Sequence, residues 1–253
     1  MPRTDPLVLV HGGWHDGWAW TETIRHLKAA GYGDIWAPTL LGHGPHTPRA
    51  VTYAQIVTHL ARWIEAHDLR NVTLLGHSFG GLVITGTAEL IPHRIARSVY
   101  LSAFVPVHGK SLQDDMAVSS DPEVDVSELY NAEDNTLIMS WDAWRKFIPD
   151  APDPVARAAF ELLSPEGAIP LAERVQLPDF HDKLDIPQSV ITLEGDTLMP
   201  WESFARRLTR VDRAVTIRGS HEVMFSAPNL LADAIARAAY GAPAEPTAMV
   251  SSL

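Results

Sequence analysis

The sequence of 253 residues contains no cysteine. That absence excludes disulfides, thiolate metal centres, iron–sulfur clusters and a cysteine nucleophile together. It is also short of positive charge. Twenty Lys and Arg stand against 31 Asp and Glu, a formal net charge of −11, so there is no basic footprint for a nucleic-acid partner. Long apolar runs are missing too. No stretch approaches the roughly 20 apolar residues that a membrane span requires. The start, Met-Pro-Arg-Thr-Asp-Pro, leads into only four apolar residues, Leu7 to Val10, too few for a signal peptide. These absences predict a soluble, acidic, cytoplasmic globular protein. At roughly 100–200 residues per domain, the length fits one large α/β domain better than two small ones. A chain of this size hides roughly three quarters of its unfolded surface, enough for a sizeable core.

What is present is an alternation of short apolar runs with amphipathic segments. Leu7–Val10, Asp34–Ala37, Val72–Leu75 and Ser98–Leu101 read as buried strands, each brief and bounded by turn or charge signals. Between them, Thr52–His67 keeps Tyr53, Ile56, Val57, Leu60, Trp63 and Ile64 on one face, and Thr52 with Gln55 forms a capping box. Ile24, Leu27 and Ala30 mark an earlier helix that Gly31 stops. Strands alternating with helices predict an α/β fold with a mostly parallel sheet of about six strands. After Phe104 the rhythm breaks. From Val105 to about Asp185 the chain is rich in acids, prolines and aromatics, and a segment that long must hold its own helices. Ser140–Phe147 and Pro154–Leu163 are the best candidates. The alternation resumes with strands at Val190–Leu193 and Ala214–Ile217, a helix over Trp201–Leu208, and a last helix after Pro228 that Gly241 and Pro243 stop. The division expected is a core of residues 1–104 and 186–241, an inserted segment 105–185 after the fourth strand, and a frayed tail 242–253.

Gly76-His77-Ser78-Phe79-Gly80-Gly81 lies directly between a strand and a helical run. It fits G-x-S-x-G, the turn that lifts a serine hydroxyl above a sheet at a helix N-terminus, in the strand–turn–helix context that the motif needs. A serine hydroxyl needs a base. His221 follows the last strand through Arg218-Gly219-Ser220, at the sheet edge where open α/β folds bind ligands. The acid that would orient it is Asp196, just past the penultimate strand; Glu194 is a rival that lies closer to the strand, and Asp185 lies at the wrong end. A carboxylate after the fourth strand would be another solution, but Ser102 stands there. Backbone donors for an oxyanion come from Phe79, after the serine, and from the loop His11-Gly12-Gly13-Trp14, where His11 reads as a structural residue. Trp14, Trp18 and Trp20 could wall a pocket, although Trp20 equally suits an anchor of the first helix. In the inserted segment, Trp141, Trp144 and Phe147 are the candidate substrate contacts. His43-Gly44-Pro45-His46 lacks a third ligand and reads as a solvated loop, so no metal is expected. The acid run Asp114–Glu133 reads as solvated surface.

These residues resemble the α/β-hydrolase fold superfamily over nearly the whole chain. More closely, the chain is similar to the esterase branch of plant methylesterases, hydroxynitrile lyases and bacterial pyrethroid-hydrolase-like carboxylesterases. Val8–His15, Gly76–Gly86, Val99–Pro106 and Gly219-Ser220-His221 carry the likeness. The resemblance implies a triad of Ser78, Asp196 and His221, an oxyanion hole from the amides of Gly13 and Phe79, and a helical cap over residues 105–185. It also implies a serine carboxylesterase for small to medium apolar or aromatic esters, without cofactor, whose partner is the ester itself. Nothing in the sequence selects between monomer and homodimer. Hydroxynitrile lyases of one type place threonine and lysine where this chain has Gly12 and Glu222, which argues against cyanohydrin cleavage. A base-catalysed lyase and a ligand sensor with vestigial hydrolysis are the alternatives.

Overall fold

The computed structural model describes residues 5–116, 126–180, 183–198 and 201–241. Six strands form one sheet in the order Ile35–Trp36, Leu7–Val10, Val72–Ser78, Ile95–Ala103, Gln188–Leu193 and Val211–Ile217, with every neighbouring pair parallel. The expected α/β architecture is therefore present. Leu7–Val10 is buried residue by residue, because a parallel sheet covered on both faces offers its strands no wet side. Its alternating side chains feed two cores. Val8 and Val10 join Ile56, Leu60, Leu74 and Val83 beneath the helices Tyr53–Ala66 and Gly80–Leu90. Leu7 and Leu9 join Trp20, Leu27, Leu75 and Ile235 beneath Thr21–Ala29 and Pro228–Tyr240.

Local signals bound two of the helices where the sequence places their ends. The Thr52 side chain accepts from the Gln55 amide while Gln55 returns the bond to the Thr52 amide, which caps Tyr53–Ala66 at both orphan donors. Gly241 closes the last helix in the left-handed conformation at φ +67°. Strand ends are longer than their apolar runs suggest. Val72–Leu75 continues to Ser78, and Ser98–Leu101 is the middle of Ile95–Ala103. The second strand keeps only Ile35–Trp36, and the helix expected over Trp201–Leu208 keeps Trp201–Ala205.

Between the fourth and fifth strands the chain builds the short helices Leu112–Met116, Trp141–Phe147, Asp153–Phe160 and Ile169–Ala172. Ser140 caps the second by accepting from Ala143. The sequence suggested only helices here. The structure adds a three-stranded antiparallel sheet of two-residue strands, Tyr130–Asn131, Thr136–Leu137 and Glu166–Gly167. Such pairs are too short for any period to show in the sequence. The tail expected to fray, 242–253, lies outside the described residues, as does part of the acid run. Within that run Asp115 is not solvated but buried against Arg207, 2.6 Å away. No helix among the described residues is long and apolar enough to cross a membrane.

Candidate active site

The serine turn is enforced by glycines. A Cβ on Gly76 would stand 2.5 Å from the Gly80 carbonyl oxygen, one on Gly80 2.7 Å from the Val10 and His11 carbonyls, and one on Gly81 2.3 Å from the Phe104 carbonyl. Only glycine lets the strand, the turn and the helix approach so closely. Ser78 itself sits at φ +52°, a left-handed conformation that a serine adopts only when its surroundings over-determine it. Its residue is only half-buried, at the N-terminus of Gly80–Leu90, where the helix dipole favours negative charge.

The loops after the fifth and sixth strands meet beside this turn. The Gly195 amide donates to the Gly219 carbonyl at 3.0 Å, and this contact carries Asp196 to His221. His221 Nδ1 lies 2.7 Å from Asp196 Oδ2, with both side chains buried. Glu194, the rival acid, points to solvent and reaches only Arg218 at 3.9 Å. Asp185 pairs with Arg210 at an exposed position. Burial alone would push the His221 imidazole below its ordinary value. The charge and hydrogen bond of Asp196, helped by Glu222, outweigh that and raise it. For Asp196 burial acts upward, and the facing His221 outweighs it and holds the carboxyl below the ordinary range. The Ser102 hydroxyl and the Trp201 indole N–H also turn toward Asp196 and favour its ionised form, without closing full hydrogen bonds.

The His221 ring is held on three sides. Trp201 stacks on it at 5.0 Å and 11°, Phe147 meets it edge-on at 5.5 Å, and His77 lies 4.5 Å away. His77 Nε2 donates to the His221 carbonyl at 3.1 Å. Complete burial, and then the nearby His221, push His77 well below its ordinary value, so it stays neutral. From the inserted segment, Asp150 accepts from the Ser220 amide at 3.0 Å and from the Ser220 and Ser226 hydroxyls. The Phe147 carbonyl accepts from the Glu222 amide.

A cavity opens over Ser78 and His221. Gly13, Trp14, Phe79 and Phe147 line it, together with Phe104, Leu112, Met116, Glu166, Leu171, Leu198 and Trp201. Of the aromatics named as candidate substrate contacts, Trp14 and Phe147 line this cavity and Trp144 and Trp141 do not. Trp144 is fully buried within the inserted segment, with its indole N–H on the Ala156 carbonyl. Trp141, one turn earlier, packs edge-on against Phe160 beneath Arg157, whose guanidinium lies 4.4 Å from the ring centre. Trp141 and Phe147, six positions apart on this helix, differ by about 120° in direction, and of its aromatic residues only Phe147, in the last turn, lines the cavity. Trp20 is the core anchor, and Trp18 stacks on Phe225.

His43 corrects another expectation. Rather than lying in a solvated loop, it is buried, and its Nε2 donates to Glu166 Oε2 at 2.9 Å; Pro45 and His46 are the exposed part of that loop. His11 is structural, as expected: Nδ1 donates to the Gly12 carbonyl while Nε2 accepts from the Leu40 amide. No group of three or more His, Asp or Glu side chains among the described residues is placed to hold a metal ion. Sequence reasoning missed Asp150, Glu166, His43 and Trp201. Each acts through a partner far away in the chain, and only Trp201, at a helix start near Asp196, carried a positional signal.

Known proteins agree with this architecture. A carbendazim-hydrolyzing esterase of Nocardioides sp. (strain SG-4G) is 42% identical over 121 residues, 47% of this chain and 50% of that protein. Methylesterase 1 of Arabidopsis thaliana is 34% identical over 111 residues, 41% of each. The chain spans half the length of these curated relatives, or less. Among solved structures, an extracellular alpha/beta-hydrolase from a Paenibacillus species, with structural and functional homology to tobacco salicylic acid binding protein 2, superposes with a TM-score of 0.83. It shares 30% identity over 93% of this chain and 99% of that one. A pyrethroid hydrolase from Sphingobium faniae JZ-2 superposes with a TM-score of 0.77 at 25% identity, over 96% of this chain and 99% of that one. A model of the alpha/beta hydrolase family matches residues 7–234, from the first core strand into the last helix, and on that match the chain belongs to the alpha/beta hydrolase family.

Proposed function

We propose that this protein is a serine carboxylesterase acting on small to medium apolar or aromatic esters, with residues 105–185 as a cap over the site. The observation that carries the reading is the buried His221–Asp196 hydrogen bond of 2.7 Å beside a serine held at φ +52° under an apolar cavity. Ser78 attacks the ester carbonyl while His221 Nε2 accepts its proton; Asp196 holds Nδ1–H and stabilises the imidazolium. The amides of Gly13 and Phe79 receive the developing oxyanion. His221 then protonates the leaving alcohol, and water activated by the same imidazole releases the acid from Ser78.

Esterase names among the relatives support the reaction type. A cyanohydrin lyase is disfavoured because the residue directly after His221 is the acidic Glu222 rather than a lysine. The test is hydrolysis of short p-nitrophenyl and naphthyl esters by the wild type and by Ser78→Ala. Wild-type turnover with S78A reduced to background is expected. Equal rates would refute the nucleophile, and tight ligand binding without turnover on a broad ester panel would point to a sensor.

A further inference from the structure

Glu166 has no place in the mechanism just given, yet it is the one carboxylate among the described residues that line the cavity, and it is 2% exposed. A carboxylate beneath apolar side chains costs several kcal/mol unless it is paired. Half of this one is. Oε2 accepts from the Trp14 amide at 2.9 Å and from His43 Nε2 at 2.9 Å. Oε1 meets no donor among the described residues. An ionised carboxylate offers about four lone-pair sites, so Oε1 is a buried acceptor left without a partner on a residue that lines the cavity.

Its position and charge narrow the ligand. A Cβ built on Gly13 would lie 3.4 Å from Glu166 Oε2, so the carboxylate sits against the Gly13–Trp14 turn that carries the oxyanion donor. A bare negative charge there would oppose the oxyanion. His43 cancels it: Nε2 donates to Glu166 while Nδ1 faces the Leu41 carbonyl at 3.2 Å, an arrangement that suits the imidazolium. Burial acts against that charged form, but Glu166 outweighs it. The Arg49 guanidinium bears on both groups as well, so the carboxylate's charge is already answered within the protein. A neutral donor satisfies Oε1 without adding a further charge to the apolar cavity.

We propose that Glu166 is a specificity-determining residue whose free Oε1 accepts a hydrogen bond from a neutral O–H or N–H group carried close to the reacting carbonyl of the ester. The inference rests on the ester-hydrolase reading of the same cavity. Preferred substrates are thus apolar esters with one donor near the carbonyl, such as 2-hydroxy esters, rather than wholly apolar ones.

The experiment compares p-nitrophenyl 2-hydroxy-2-phenylacetate with its 2-methoxy analogue, each rate divided by its uncatalysed rate. Wild type should favour the hydroxy ester in kcat/KM by about ten- to a hundredfold, the range for a hydrogen bond to a charged group. Glu166→Gln, which can turn an amide donor toward the ligand, should lose or reverse that preference. A residue that only props the Trp14 turn would instead lower both rates together. In parallel, the methyl esters of the same two acids are titrated into S78A and S78A/E166Q by tryptophan fluorescence, since Trp14 and Trp201 line the cavity. No hydroxy preference in wild type, or a preference that E166Q retains, overturns the assignment. If wild type hydrolyses neither ester, the hydrolase reading fails, and the S78A binding ratio alone decides the role of Glu166. If E166Q does not fold, the wild-type rate ratio and the S78A binding ratio decide it.

Discussion

Replacing Asp196 by Asn removes one charge and keeps the shape. In the native site the Asp196 Oδ2 to His221 Nδ1 distance is 2.7 Å and neither side chain reaches solvent. Opposite charges about 4 Å apart at an effective dielectric of 20 attract by roughly 4 kcal/mol. That stabilisation exists only once His221 has taken the serine proton, so its loss falls on kcat, by roughly a thousandfold at 1.36 kcal/mol per tenfold. Asn also presents an N–H to Nδ1 and selects the wrong imidazole tautomer, which brings the expected loss to about 10⁴. The pH profile is the sharper readout. His221 must be neutral to act, and its raised value places the rising limb of wild-type kcat/KM above pH 6.5. Without Asp196, burial is opposed only by Glu222, so the limb moves to lower pH. Rates on a p-nitrophenyl ester across pH 5 to 9 give both quantities. A loss below tenfold, or a limb that stays in place, would refute the reasoning. Glu194→Gln, exposed and remote from His221, serves as the control and should change neither.

Gly81→Ala should destabilise by more than the typical 1–3 kcal/mol of overpacking, because the new Cβ meets a backbone carbonyl at 2.3 Å; an unchanged thermal midpoint would contradict this. Asp150→Ala frees Ser220 and Ser226 and should cost about 1 kcal/mol of stability, with kcat reduced several-fold and KM little altered. Acid should weaken the fold through His11 and His77, whose values burial pushes well below 6.5. Their contribution is fully present above pH 6.5 and is lost as pH falls toward their depressed folded values. Each can remove up to about 1.4 kcal/mol per pH unit. His43 and His221, raised instead, lose their contributions as pH rises through their folded values, in the opposite window. Urea midpoints between pH 7 and 5 should therefore fall, less steeply in His77→Gln; equal slopes for the two proteins would count against buried neutral His77.

What the sequence made legible depends on how far each signal travels. The strand Leu7–Val10 and the capping box at Thr52 are written in consecutive residues, because burial on both faces and a three-residue reciprocal bond are local demands. The serine turn is equally local: Gly76, Gly80 and Gly81 are dictated by backbone atoms a few ångströms away. Asp196 and His221 are 25 residues apart, yet they were findable, since a parallel sheet brings the ends of neighbouring strands to one edge and a reader need only locate the strands. Glu166 obeys no such rule. It reaches His43 across 123 residues and the Trp14 amide across 152, through a two-residue strand that exists because the inserted segment folds back over the first loop. Arg97 hides in the same way: a charge just before an apolar run, buried because Ser189 on the next strand and Asp212 on the strand beyond it receive the guanidinium. Where a polar residue is buried by a partner distant in the chain, composition suggests surface and only packing shows otherwise. In this protein that class holds the groups best placed to choose the substrate, while the groups proposed to carry the chemistry lie at strand ends, where local rules reach them.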